Sequence, residues 1–128
     1  MAKLGATPSN KALPRSKHFT IENPTNSEDI TLFYTDEALT VTKMVAVLTG
    51  SGSPSLTWTL RFDADRSLTG TEIVTGGTVT DSTGGGTSTG QSITSFNNAT
   101  ISANSWVWFK TTALAITVTK IHVTVFYD

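Results

Sequence analysis

The sequence predicts an all-β domain, a β-sandwich of the jelly-roll kind with about eight strands, carrying an extended basic N-terminal arm. Three observations lead there. Between Ser55 and Ala64, Leu56, Trp58, Leu60, Phe62 and Ala64 fall on one face, and Ser55, Thr57, Thr59, Arg61 and Asp63 on the other. Ten residues of unbroken period two describe a half-buried strand; a helix would scatter those apolar groups around its circumference. Threonine supplies about one residue in five, and its branched Cβ and hydroxyl suit a pleated surface facing water. Turn signals recur through the chain with no helical period between them, which is the sandwich or barrel pattern.

The elements follow in order. His18 to Glu22 reads as a first strand, closed by the turn Asn23-Pro24-Thr25-Asn26. Ile30 to Tyr34 is a second. Leu39 to Leu48 is a third, with Leu39, Val41, Val45 and Val47 on one face and Thr40, Thr42 and Met44 on the other. Gly50 to Pro54 is a turn, and Ser55 to Ala64 is the best-defined strand. Thr71 to Val74 is short. The Gly/Ser/Thr tract from Gly76 to Gly90 predicts a long mobile loop with a brief strand near Val79. Ser92 to Phe96 is another short strand, followed by a turn at Asn97-Asn98. Ser105 to Thr112 is apolar on both faces, as a central strand is. In Ile116 to Tyr127 the apolar phase shifts from Ile116 and Val118 to Ile121, Val123 and Val125, predicting a bulge near Thr119-Lys120.

Composition bounds the chemistry. The 128 residues are 38% hydrophobic and only 15% charged, against roughly 25% charged in ordinary soluble domains. With no cysteine, disulfides, thiolate metal sites and cysteine nucleophiles are excluded, and folding in a reducing compartment is expected. The first residues form no continuous apolar core of a signal peptide, and no segment is apolar for the roughly 18 residues of a membrane span. The expectation is a soluble product of a cytoplasm with no membrane partner.

Charge divides the chain unevenly. The net charge is −1, which argues against a direct nucleic-acid partner. Yet before Glu22 the chain carries Lys3, Lys11, Arg15 and Lys17 with no acid. That segment also holds Gly5, Pro8 and Pro14 and shows no strand or helix period. The predicted organisation is therefore an arm over 1–17 and a sandwich over 18–128, the arm having its own partner.

No constellation points to catalysis. His18 and His122 are the only histidines, and neither has the nucleophile and acid that a triad requires. Asp63 and Asp65 could share a cation, but Arg66 follows directly, so turn-capping acids paired with Arg66 are the expectation. Glu72 with Asp63 or Asp65 is the one conceivable pair for glycoside hydrolysis. The glycine tract lacks the Lys-Ser/Thr ending and following helix of a phosphate loop. Trp58, Trp106 and Trp108 are expected in the core rather than as a sugar-binding platform. No cofactor, metal or catalytic residue is predicted.

Several segments together, Ser53-Pro54-Ser55-Leu56-Thr57-Trp58-Thr59, Asp65-Arg66-Ser67, Gly70 to Gly77, Thr94-Ser95-Phe96-Asn97 and Ser105-Trp106-Val107-Trp108, resemble a family of small tailed-phage virion proteins over roughly Ile30 to Tyr127. The resemblance implies a non-enzymatic structural protein, similar in plan to capsid decoration or cement proteins. Such proteins sit as homotrimers on the outer surface of the capsid and bind the major capsid protein. On that plan the candidate capsid-binding residues are Lys3, Lys11, Arg15, Lys17 and Phe19. The alternative is a receptor- or glycan-binding module of a tail fibre, which would need exposed aromatics such as Trp106.

Overall fold

The structure, a computed structural model, describes residues 15–82 and 86–128. These form a single antiparallel sheet of nine strands, with no helix among the described residues. In chain order the strands are β1 (Arg15–Glu22), β2 (Asp29–Thr35), β3 (Leu39–Asp63), β4 (Thr71–Glu72), β5 (Thr78–Asp81), β6 (Gly86–Thr87), β7 (Gln91–Ile93), β8 (Thr100–Ile101) and β9 (Ser105–Tyr127).

Two long strands organise everything else. β3 and β9 run antiparallel along almost their whole length, from Trp106 opposite Asp63 to Tyr127 opposite Val41. On the outer side of β9, β1 pairs with its C-terminal half and β2 with its N-terminal half. On the outer side of β3 the five short strands β4 to β8 follow one another antiparallel to it. The sheet is thus four long courses wide, two of them broken into short strands.

β3, β9 and the connection from β1 to β2 fold over at one level. There β3 passes through Gly52–Pro54, which oppose the single residue Ile116 of β9. Gly52 has φ +71° and Ile116 φ +63°, and the left-handed conformation at both turns the ladder sharply. The segment 23–28 skips the same level: the Asn23 amide donates to Thr119 O, and the Thr111 amide donates to Glu28 O. Buried Thr111 holds this connection by donating its hydroxyl to Thr25 O and accepting from the Glu28 amide, both at 2.7 Å. Contacts between the halves show that the sheet closes on itself. Phe19 meets Phe109 edge-on at 5.6 Å, and the amides of Asn97 and Asn98 both donate to Ile73 O. The result is the expected sandwich, made from one doubled sheet.

One core fills the space between the layers. It includes Met44, Ala46, Leu48, Ile121 and Val123 from one half and Leu56, Trp58, Leu60, Ile73 and Phe109 from the other. The Leu56–Phe62 face is buried as its alternation predicts. The central position of Ser105–Thr112, between β2 and β3, is also as expected. The bulge near Thr119 is present, since the register against β3 jumps between Val118 and Lys120.

Several expectations are corrected. Gly50–Pro54 does not end a strand, because β3 continues through the corner. The first strand begins at Arg15 rather than His18, since Arg15, Ser16 and Lys17 find partners in Tyr127, Phe126 and Val125. The strand around Ser92 is Gln91–Ile93 and stops before Phe96. Within the glycine tract the brief strand expected near Val79 is present as β5, but the rest is not all loop, since β6 also pairs with β3; residues 83–85 lie outside the described residues. In β3 the register shifts between Lys43 and Val41, leaving Thr42 unmatched. This one-residue bulge reverses the phase. Met44, Ala46 and Leu48 therefore point inward, while Val45 and Val47 are only half-buried.

A candidate docking edge

The two sides of the sandwich are finished differently. Along the β4–β8 side, side chains and main chain stitch the layers together. The Asn98 side-chain amide donates to Glu72 O at 2.8 Å, and Asn97 Oδ1 accepts from the Thr75 amide at 2.8 Å. Deeper in, Trp58 Nε1 donates to Thr80 Oγ1 at 3.0 Å, and the Thr80 hydroxyl donates in turn to Gln91. The buried indole is thereby satisfied and tied to two edge strands.

The opposite side, between β1 and β2, is open. Among the described residues each of these strands has a ladder partner only on its β9 side, so within that set each presents backbone groups outward as an edge strand does. A cavity of about 360 Å³ lies there, lined by Ser16, Lys17, His18, Phe19, Leu32, Phe33 and Val125. Alternation on β1 explains the lining. Lys17, Phe19 and Ile21 point toward the interior, and Ser16, His18, Thr20 and Glu22 toward solvent. On β2 the register against β9 slips between Phe33 and Thr31, so Leu32 is an extra residue with no β9 partner. Phe19, Leu32 and Phe33 remain half-buried at the rim of the core.

The charges of this edge are mixed and lightly paired, with the bases on β1 and the acids Asp36 and Glu37 after β2. The Lys17 ammonium lies 4.9 Å from the Phe33 ring centroid and 5.9 Å from that of Tyr127. Among the described residues no carboxylate pairs with it. Arg15 lies over Tyr127 at 4.9 Å and bridges Glu37 at 3.0 Å. Both ends of that bridge are more than half exposed, so it is worth under about 1 kcal/mol. Arg15, Lys17, Asp36 and Glu37 also line a smaller polar hollow of about 240 Å³ that continues the slot toward Tyr34 and Tyr127. His18 and His122 stand side by side on the outer face, 5.7 Å between ring centroids, and His122 Nδ1 shares a 2.7 Å hydrogen bond with the Thr20 hydroxyl.

Of the residues singled out in the sequence, Arg15, Lys17 and Phe19 come together on this edge strand. Lys3 and Lys11 lie outside the described residues. Sequence reasoning missed Leu32, Phe33 and Val125, which join the slot only because the sheet doubles over. Their sole signal was the apolar character of strands already assigned to the core.

The other candidates resolve plainly. Trp58 and Trp108 are buried, as expected, but Trp106 is not. Trp106 is 38% exposed and meets Tyr34, itself 46% exposed, edge-on at 5.0 Å. Tyr34 donates its hydroxyl to Asn104 Oδ1. Trp108 is buried outside the main core, under Arg66 and Gly70. Asp63 and Asp65 do cap the turn: Asp63 accepts from the Asp65 amide, and Asp65 from the Ser67 amide and hydroxyl. The Ser67 hydroxyl first, and its amide second, hold the Asp65 carboxyl below its ordinary pKa. Arg66 pairs with Asp29, however, and not with either of them. Glu72 is engaged by Arg61 at 3.2 Å. Among the described residues no three His, Asp or Glu side chains gather in a way that could hold a metal.

No protein-family model matches the chain, and no curated protein does. Among solved structures it is similar to a chain in the structure of infectious bursal disease virus Gx strain. That match has 13% identity and a TM-score of 0.39, over 89% of this chain and 32% of that one. A chain of the T13 IBDV viral particle matches at 15% identity and a TM-score of 0.25, over 89% of this chain and 39% of that one. The protein thus spans about a third of the length of these viral chains.

Proposed function

We propose that the protein is a non-enzymatic virion structural component of a tailed phage, a capsid decoration or cement protein that binds across major capsid protein subunits. On this reading it is made in the host cytoplasm and sits as a homotrimer on the outer surface of the shell. The observation that carries the reading is the continuity of the basic N-terminal segment with an open edge. Lys3 and Lys11, with no acid near them in sequence, lead directly into Arg15, Lys17 and Phe19 on β1, beside the unpaired slot. Positive charge steers encounter with a carboxylate-rich shell, and three copies per trimer would let individually weak contacts hold. The sequence resemblance to small tailed-phage virion proteins supports the same assignment.

The test is decoration itself. Purified full-length protein added to undecorated shells should bind to saturation, at hundreds of copies per particle by quantitative mass spectrometry. A chain lacking residues 1–14 should fold but fail to bind. A truncated chain that still decorates shells, or a handful of copies per virion, overturns the proposal.

A second reading, a glycan-binding module of a tail fibre, is favoured by one specific observation: the exposed Tyr34–Trp106 pair. Glycan-array binding that disappears in Trp106→Ala with the fold intact would select it instead.

A further inference from the structure

We infer that the slot between β1 and β2 accepts an extended, acidic segment of a partner protein as an added strand. The inference rests on the reading of this edge as a docking surface and supplies the chemistry of what docks there.

Three features define the occupant. First, β1 offers eight residues of edge strand, Arg15–Glu22, whose outward amides and carbonyls have no strand partner among the described residues. An incoming strand satisfies such groups by extending the ladder. Second, the slot beside it is apolar at its base, through Phe19, Leu32, Phe33 and Val125. A strand whose alternate side chains are apolar would cover these half-buried groups. Third, the lining of the slot carries Lys17 and His18 and no carboxylate; Asp36 and Glu37 line only the adjoining hollow, where Glu37 bridges Arg15. A lysine facing inward from an edge strand guards that edge against uncharged strands. Here it makes the edge selective, because a carboxylate on the incoming strand provides the partner that Lys17 lacks.

The same charge argument disfavours two other occupants. Residues 1–14 contain Lys3 and Lys11 and no acid, so neither the chain's own N-terminal segment nor that of a second copy complements Lys17. The opposite side of the sandwich does not compete, since Asn97, Asn98 and Gln91 already bridge it.

The test uses the full chain, isotopically labelled, and two synthetic peptides of about ten residues, roughly the length that an edge strand pairs. One alternates valine with glutamate, and the other alternates valine with lysine. The glutamate peptide should shift the amide resonances of Ser16–Thr20 and Thr31–Tyr34, and the lysine peptide should not. Lys17→Glu should weaken the glutamate peptide at least tenfold and admit the lysine peptide. Leu32→Lys, at a rim position without a ladder partner on β9, should block the glutamate peptide while leaving the remaining spectrum intact. Absence of glutamate-peptide binding, shifts that map elsewhere, or equal binding by Lys17→Glu overturns the inference. So do contacts in the free protein between residues 1–14 and β1, or a concentration-dependent dimer closing this edge. Peptide binding without shell decoration would retain the slot and discard the decoration role. Decoration that survives Leu32→Lys would do the reverse.

Discussion

The guanidinium of Arg66 lies 4.2 Å from the indole centroid of Trp108, sealing an aromatic ring that the sheet itself turns outward. Arg66 is held there by Thr31, whose hydroxyl accepts from Nε at 2.8 Å, and by Asp29. One side chain thereby fastens the loop after β3 to β2 across the face of β9. A cation over a partly desolvated indole is worth about 0.5–2 kcal/mol, and the half-exposed ion pair adds little. Arg66→Ala should cost about 1–2 kcal/mol in urea unfolding and shift tryptophan emission to the red as Trp108 meets water. Arg66→Lys should recover only part of this, because an ammonium cannot lie flat over the ring while also reaching both oxygens.

Gly70 closes the same lid from the other side. Its φ is +80°, and a Cβ there would stand 2.5 Å from the Trp108 ring. Gly70→Ala therefore combines left-handed strain with a clash and should destabilise by about 2–4 kcal/mol. Gly76 is the internal control, with the same φ of +80° but nothing within 4 Å of its Cβ position. Gly76→Ala should cost only the strain, about 1 kcal/mol. Equal losses in calorimetry or urea titration would contradict the packing argument.

Ile116 is a β-branched residue at φ +63° with 59% of its surface exposed. The corner imposes that conformation, and little burial compensates for it. Ile116→Asn, which tolerates the left-handed region without glycine's entropy, should raise stability by about 1 kcal/mol. A measured loss would mean that the Ile116 side chain contributes more at the corner, where it faces Gly52, than its exposure indicates.

The Asp65 carboxyl titrates below its ordinary value because Ser67 donates to its charged form. A pKa lowered on folding stabilises the protein at pH above the unfolded value, and that contribution is lost as pH falls through the folded value. The stability gap between wild type and Ser67→Ala should therefore be present at neutral pH and close in acid. Carboxyl-detected NMR titration reads the pKa directly. An Asp65 value at or above that of a free aspartate would refute the assignment.

The strands were legible wherever a single period governed a stretch. Ser55 to Ala64 alternates without exception, and its Leu56–Phe62 face is the core. The phase change after Val118 likewise marked its own bulge. Sequence could not reveal the bulge at Thr42, because threonine fits either face and nothing local fixes which residue is skipped. Only pairing with Phe126 and Tyr127 decides that Met44, rather than Val45, is inside.

The candidate site divides along the same line. Composition and charge order already placed Lys3, Lys11, Arg15 and Lys17 in a basic segment free of acids, since charge adds up along a chain without reference to its fold. Assembly of Lys17 and Phe19 with Leu32, Phe33 and Val125 into one slot required the whole sheet to double over, a long-range event fixed by a corner more than ninety residues away from Phe19, near Ile116. The fate of the tryptophans had the same origin. Period two gave Trp106 and Trp108 a common face, but only the loop carrying Arg66 and Gly70 determined that one would be covered and the other left in water.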